Sequence, residues 1–507
     1  MVFRLRGSDG TEISVTEESH GERTYGMLGT SLIRQIERIV GKENVLSSKE
    51  DLICYGYDAT NLESLPGLVV FPREANEISE ILTLANKNRF PVVPRGLGTG
   101  FSGGSIPVQG GVVLVMTRFN RVIEIDTENL IAVVEPGVIT GDFQKQVEKL
   151  GLFYPPDPAS QLYCTLGGNV AECAGGPRAI KYGVTKDYVL GLEVVLPTGE
   201  VINTGVKTVK GVVGYDLTKL FVGSEGTLGV MTKIILRLIP MPEARKTMMV
   251  VFRQVEDAAI AVSKIISSKI VPSTLEFMDN ASIQCVEDYL KMGLPRDAGA
   301  LLLIEVDGDQ EILPKYINQI DRITSELNRY SMEIAENEKE ADALWKARRA
   351  ISPASYRLNP TKMAEDITVP RNQIATFIRE ARKIAEERRL KIINFGHAGD
   401  GNIHTSLMIN DKDEDEKKRA EEAVEEIFKL TVKLGGTLSG EHGVGITKAP
   451  YIHMELSRDA IEVMKKIKRV LDPNNILNPG KIFNAPHPLP LSPSGERGRV
   501  RGKIFKT

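Results

Sequence analysis

The stretch PRGLGTGFSGGSIP, residues 94–107, holds five glycines between Gly96 and Gly104. Glycine reaches positive φ and lets backbone N–H groups close on an anion, so the stretch reads as a phosphate-holding loop. Gly98, Gly100 and Gly103 satisfy G-x-G-x-x-G. In a doubly wound dinucleotide fold that pattern opens a helix. Here it runs through Pro107 into GVVLVM (111–116), a β-branched run that reads as a strand. The stretch therefore argues against a Rossmann sheet and for a diphosphate loop strung between two strands. A tight loop serving only the fold is the other reading of this segment taken alone.

Two more glycine-rich stretches lie downstream, YPPDPASQLYCTLGGNVAECAGGPRAIKYG (154–183) and GYDLTKLFVGSEGTLGV (214–230). Several separated places for close backbone approach imply one long ligand of cofactor size rather than a single phosphate. Around them, SLIRQIERIV (31–40) and NEISEILTLANKN (76–88) place apolar residues on one helical face. FPVVPRG, GVVLVMT, LIAVVEP, VLGLEVVLP and GVMTKIILRLIP are β-branched runs ended by Gly or Pro. From about 241 to 430 strands such as STLEFMD, LLLIEVD and EDITVP alternate with longer helices, which suits an antiparallel sheet with helices on one face. The class is α+β.

With 507 residues, more than one core is expected. Lys and Arg number 64 against 67 Asp and Glu, so no net field points to nucleic acid. The four cysteines, Cys54, Cys164, Cys173 and Cys285, form no C-x-x-C, which argues against a disulfide framework, a zinc ribbon or an iron–sulfur cluster. No run approaches the roughly 18 apolar residues of a spanning helix, and the first residues lack the apolar core of a secretory signal. The expected location is cytoplasmic, with any contact to the inner face of a membrane made through a partner.

NFGHAGDGNIHTSL (394–407) spends two of the chain's six histidines seven positions apart. On one straight strand His397 and His404 would point to opposite faces. AGDG is turn chemistry, however, and a hairpin folding there lets both rings meet one ion. Alternatively, Asp400 only makes the turn and each histidine is bonded separately. Glu441, in SGEHGVG, would complete a set of two histidines and one carboxylate, which leaves zinc an open position.

The order PRGLGTGFSGG, YPPDPAS, TLGGNVAECAGGPRAIKYG, GSEGTLGV, GHAGDGNIH, GEHGVG and NPGKIF resembles the vanillyl-alcohol-oxidase type of FAD flavoprotein. Within it the chain is similar to the D-2-hydroxy-acid dehydrogenase branch, which includes the glycolate oxidase catalytic subunit, D-lactate dehydrogenases and D-2-hydroxyglutarate dehydrogenase. The resemblance implies a two-subdomain FAD-binding module over 26–240, a substrate or cap domain over 241–430, and a segment over 431–484 returning to the flavin site. A flexible leader (1–25) and a disordered, Pro-rich basic tail (485–507) flank them. It also implies that Arg95, Gly96, Gly98, Thr99, Gly100 and Ser102 serve the diphosphate, and that Pro156, Asp157, Ser160, Gly167, Gly168, Asn169, Gly175 and Gly176 line the flavin. Glu225, Gly226 and Val230 would hold the adenine and ribose side, and Asn478 the ring face. No histidine lies between His20 and His397 to tether the flavin, so FAD is expected to be non-covalent. At Cys173 the family often carries asparagine.

In this family the positions of His397, His404 and Glu441 bind a divalent metal, zinc first, with manganese or iron as substitutes. The chemistry implied is oxidation of a small D-2-hydroxy acid such as glycolate or D-lactate. Such a metal lowers the hydroxyl pKa, and His442 is assigned as the base that takes the proton, with loop capping as its structural alternative. The family's Trp-x-x-Arg pattern falls on Trp345 and Arg348, so Arg348 is expected to grip the carboxylate. Lys362 is a second, weaker candidate cation, and Arg349 is expected to face elsewhere. With no cluster of its own, the chain would pass electrons to a quinone, a cytochrome, an electron-transferring flavoprotein or an iron–sulfur partner subunit. The competing readings are a non-redox FAD enzyme of the ether-lipid synthase type and a non-catalytic flavin subunit.

Overall fold

The computed structural model describes residues 28–60 and 62–483, together with the paired strands Phe3–Arg6 and Glu12–Val15. The tail expected from 485 and the rest of the expected leader lie outside the described residues.

In the first sheet Leu68–Val70 and Val92–Arg95 run parallel to a central Val112–Val115, with Val45–Leu46 antiparallel at the edge. Helices Thr30–Val40 and Ala75–Asn88 bury Ile36, Val40, Ile78, Ile81, Leu82 and Ala85 against it. Each such side chain contributes about 1.5–3 kcal/mol by leaving water. The glycine-rich stretch leaves the end of Val92–Arg95 and reaches Val112–Val115 without an intervening helix, so the loop lies at a strand end as its sequence context requires. Gly98 sits there at φ 68°, and an added Cβ would meet the Arg95 guanidinium.

A second sheet of five antiparallel strands follows in the order Val201–Gly205, Val189–Val195, Val230–Arg237, Ile131–Val134, Val122–Asp126. Helix Leu166–Glu172 packs Leu166 and Val170 into its core. That helix ends on Cys173 in the left-handed region, φ 56°, a conformation asparagine tolerates better than most residues.

The third sheet has seven antiparallel strands in the order Arg329–Ile334, Ala244–Phe252, Ala300–Gly308, Thr274–Asp279, Lys391–His397, Asn402–Ile409, Thr361–Thr368. The expectation of helices on one face needs correction, because both faces are covered. Val255–Ser267, Leu313–Ser325, Ile374–Glu387 and Glu414–Lys433 pack on the side of Leu302 and Ile304. Asn280–Leu290, Glu338–Arg349 and Ile351–Ser355 pack on the side of Leu301 and Leu303. The physical reason is legible in Ala300–Gly308, where every residue except Gly308 is buried; a strand covered on both sides shows no polar alternation. The segment after 435 reads as loop-rich, yet it contains helix Arg458–Leu471, capped by Ser457. Its apolar residues recur at helical spacing, but none is fully buried.

Candidate active site

The hairpin Lys391–His397, Asn402–Ile409 is closed by the four residues between them, with Gly401 at φ 88° and Asp400 accepting from the Asn402 N–H at 3.2 Å. Its register sets Phe395 opposite His404 and His397 opposite Asn402, so both histidines share one face. His397 Nε2 and His404 Nε2 lie 3.4 Å apart. Glu441, arriving on the 440–445 loop, puts its Oε1 3.3 Å from His397 Nε2 and 3.6 Å from His404 Nε2. Three ligands about 2.0–2.1 Å from one tetrahedral ion stand about 3.4 Å from one another.

The far side of each ring fits the same donor set. His397 Nδ1 donates to Glu276 Oε1 at 2.5 Å, and His404 Nδ1 faces Asp366 Oδ1 at 3.5 Å without a hydrogen bond. A metal-binding imidazole is normally held by a carboxylate on its other nitrogen. Burial would lower the His397 pKa, but Glu276 and Glu441 outweigh it and hold the ring well above its usual range. His404 is pushed well below, first by burial and then by charged His397. The buried Glu276 and the partly exposed Glu441 thus converge on His397, and a divalent cation would supply the same compensation. Asp366, His404, Glu441 and His442 also each place a ligand atom within 4.8 Å of the others. Asp366 is already used, however: Oδ2 accepts the N–H groups of Gly440, Glu441 and His442 at 2.8–3.0 Å, and Oδ1 accepts Asn402 Nδ2 at 2.6 Å. It builds the loop that presents Glu441 and His442.

His442 is stacked between Phe101 and His404, ring centroids 5.1 and 5.4 Å away. Arg348, on helix Glu338–Arg349, donates from Nε to Glu276 Oε2 at 2.6 Å, with its guanidinium carbon 4.9 Å from the centre of the Phe395 ring. Glu276 therefore holds His397 and Arg348 at once. Arg349 pairs with Asp342 at 2.5 Å. Lys362 donates to Ser352 Oγ at 2.9 Å, lies over Phe101 and Tyr356, and pairs with no carboxylate among the described residues. Burial lowers its pKa.

These residues line one cavity of about 820 Å³ that continues along the glycine loops, a volume in the range of a cofactor site. Its lining includes Arg95, Gly96, Gly98, Thr99, Gly100, Asp157, Ser160, Gly167, Gly168, Asn169, Glu225, Gly226 and Val230. Ser102, Pro156, Gly175, Gly176 and Asn478 are not among its lining residues. Asn478, expected at the ring face, ties the loops together, donating from Nδ2 to the carbonyls of Gly104 and Glu225 at 2.8 Å. The Glu225 carboxylate, expected at the adenine side, accepts the N–H groups of Val444 and Gly445 at 2.7 and 2.6 Å. It clamps the loop of Glu441 to the glycine-rich domain. Ser102 Oγ donates to Glu172 Oε1 at 3.3 Å. Sequence reasoning missed Glu276, Asp366 and Ser352. An acid inside a strand as apolar as TLEFMD is the signal that would have found the first.

Residues 66–205 match the family described as FAD binding domain, and residues 241–482 match FAD linked oxidases, C-terminal domain. The glycolate oxidase subunit GlcD of Bacillus subtilis (strain 168) is 48% identical over 90% of this chain and 97% of its own. The GlcD subunit of Escherichia coli (strain K12) is 36% identical, covering 90% and 92%. A D-lactate dehydrogenase of Anaerostipes hadrus is 33% identical, covering 91% and 99%. Among solved structures, p-cresol methylhydroxylase superposes with a TM-score of 0.76 at 20% identity over 90% of this chain and 98% of its own. An alkyldihydroxyacetonephosphate synthase gives 0.71 at 19% over 94% and 96%. At such identities these two share the fold alone. Relatives this similar along nearly the whole length place the chain among the FAD-linked oxidoreductases of the vanillyl-alcohol-oxidase type, and it belongs to their D-2-hydroxy-acid dehydrogenase branch.

Proposed function

We propose that this protein oxidises a small D-2-hydroxy acid, of the size of glycolate or D-lactate, to the 2-oxo acid. In this reading His397, His404 and Glu441 hold a divalent metal, zinc first, and His442 is the base. The observation that carries it is the convergence of those three side chains to 3.3–3.6 Å, beside a stacked His442 and an arginine fixed by the same Glu276 that holds His397.

When bound, the flavin accepts the α-hydrogen with its electron pair and the metal polarises the hydroxyl. The protein does the rest. Arg348, assisted by Lys362 and Ser352, takes the substrate carboxylate in a bidentate grip. His442 accepts the hydroxyl proton at a ring nitrogen, its plane fixed by Phe101 and His404. The glycine loop around Gly98 offers N–H groups to the diphosphate. Residues 26–240 then form the FAD-binding module, 241–430 the cap over the substrate, and 431–484 the segment that brings Glu441 and His442 to it.

The cysteines are free and form no cluster motif in sequence, so electrons would leave the flavin for an external acceptor, a quinone, a cytochrome, an electron-transferring flavoprotein or an iron–sulfur partner. No helix among the described residues is long and apolar enough to cross a membrane; we place the protein in the cytoplasm, meeting any membrane through that partner. The test is anaerobic mixing with glycolate, D-lactate and D-2-hydroxyglutarate while the flavin band is followed. Bleaching by at least one, and its slowing by about a hundredfold or more in His442→Asn, is expected. A bound flavin inert to the whole panel rejects the reading.

A further inference from the structure

The cavity does not end at Arg348. Its wall continues along the seven-stranded sheet to Thr274, Glu305 and Trp345. Thr274 stands opposite Glu305 in the register of Thr274–Asp279 with Ala300–Gly308. Glu276, which holds both Arg348 and His397, lies two residues further on the same face as Thr274, a step of about 7 Å along a strand. Trp345 is three residues before Arg348 on one helix, hence on the same side.

Glu305 is 6% exposed and pairs with no cation among the described residues. Its Oε2 accepts from Thr247 Oγ1 at 2.9 Å and Trp345 Nε1 at 3.3 Å, while Oε1 has no partner there. The arginines on this part of the lining are taken, Arg245 by Glu338 at 3.1 Å, Arg349 by Asp342 at 2.5 Å, Arg178 by Asp157 at 3.4 Å and Arg348 by Glu276 at 2.6 Å. Thr274 is 1% exposed and its hydroxyl is buried without a partner. Glu305 thus turns an acceptor oxygen to the cavity beside the buried, unbonded hydroxyl of Thr274, one acceptor and one donor side by side.

We propose that Glu305, Thr274 and Trp345 form a second substrate subsite, which receives a hydroxyl carried on the far end of the 2-hydroxy acid. A hydroxyl donates to Glu305 Oε1 and accepts from Thr274, whereas an ammonium group can only donate and leaves the Thr274 proton unused. A distal carboxylate is repelled by Glu305, and an alkyl end leaves both groups unpaired. The subsite rests on the proposed reaction, since the near end of the ligand is fixed by Arg348 and the metal site.

The test uses the holoenzyme and the matched acids D-2-hydroxybutyrate and D-2,4-dihydroxybutyrate, with D-2-hydroxyglutarate as the dicarboxylate. For the wild type, kcat/KM is expected to favour the dihydroxy acid about tenfold or more and to be lowest for the dicarboxylate. In Glu305→Gln and in Thr274→Val the preference between the matched pair is expected to fall about tenfold. Equal kcat/KM for the pair in the wild type, a ratio unmoved in both variants, or preference for the dicarboxylate overturns the proposal. Perturbation of the oxidised flavin band by 2-oxobutyrate and 4-hydroxy-2-oxobutyrate gives dissociation constants without turnover. If those keep the hydroxyl preference while no hydroxy acid reduces the flavin, the subsite stands and the proposed reaction falls. If the acids are oxidised with no such preference, the reaction stands and the subsite falls.

Discussion

His397 Nε2 faces His404 Nε2 across 3.4 Å although they stand seven positions apart in sequence. The hairpin turns an odd step into a shared face by setting Phe395, two residues before His397, opposite His404. Replacing either ring, in His397→Ala or His404→Ala, is expected to remove tightly bound metal and lower turnover by at least about a hundredfold, with the flavin retained. Elemental analysis of the purified protein, read beside its flavin absorbance, checks both halves.

Glu276 is a single carboxylate bonded to His397 at one oxygen and Arg348 at the other. Glu276→Gln is expected to weaken metal binding about ten- to a hundredfold and also to raise KM, because Arg348 loses its brace. Competition with a chelator and steady-state kinetics separate the two effects. An intact KM with weakened metal would show that Arg348 does not need Glu276.

Asp366 is fully buried and serves three consecutive N–H groups and Asn402. Asp366→Ala is expected to cost about 3–5 kcal/mol, as breaking a buried charged network does. Burial would raise its pKa, but His442, Lys448 and His404 hold it well below the usual carboxylate range. The stability it contributes is present above the ordinary carboxylate pKa and is lost as pH falls through its lower folded value. Urea titrations at neutral and acid pH should find a smaller loss at acid pH in Asp366→Ala than in the wild type.

Asp157 behaves in the opposite sense. Burial, only partly offset by Arg178, pushes its pKa up to about 7 from an ordinary value of about 4. Between those values the folded state binds more protons than the unfolded state, so stability falls as pH rises from about 4 to 7. Asp157→Asn is expected to flatten that fall, seen in denaturation midpoints at pH 5 and pH 7.5. A slope unchanged in the variant would show that Asp157 is already ionised in the folded protein.

Gly98 takes φ 68°, a conformation strained for any residue with a Cβ, and an added Cβ would displace the Arg95 guanidinium. Gly98→Ala is expected to lower FAD occupancy by about tenfold, because the strained loop withdraws its N–H groups from the diphosphate. The ratio of flavin to protein absorbance after desalting measures it, and an unchanged melting temperature of the flavin-free protein excludes general unfolding.

Local chemistry made much of this molecule legible from residues alone. Pro107 and the β-branched run after it place the glycine stretch between strands, AGDG announces the hairpin, and Glu441 stands out in a glycine-flanked loop. Periodicity also locates helices such as Val255–Ser267. Glu276 and Asp366 escaped because each lies in a segment that reads simply as a strand, and nothing near them in sequence names the partner. Covering of the third sheet on both faces is signalled only by a strand such as Ala300–Gly308 that lacks polar alternation, and a short apolar run of that kind does not say which segments cover it.

The sequence by itself determined the loop that would face a diphosphate, the turn that pairs two histidines, and the family to which seven ordered motifs belong. Those depend on backbone conformations and side-chain types that a few neighbouring residues dictate. Only the tertiary structure decided that one glutamate from Thr274–Asp279 holds both His397 and Arg348, that Glu225 clamps the loop of Glu441, and that Glu305 faces the cavity without a cation among the described residues. Such pairings join residues tens to hundreds of positions apart, and they are fixed by strand order and register in a packed sheet rather than by any local preference.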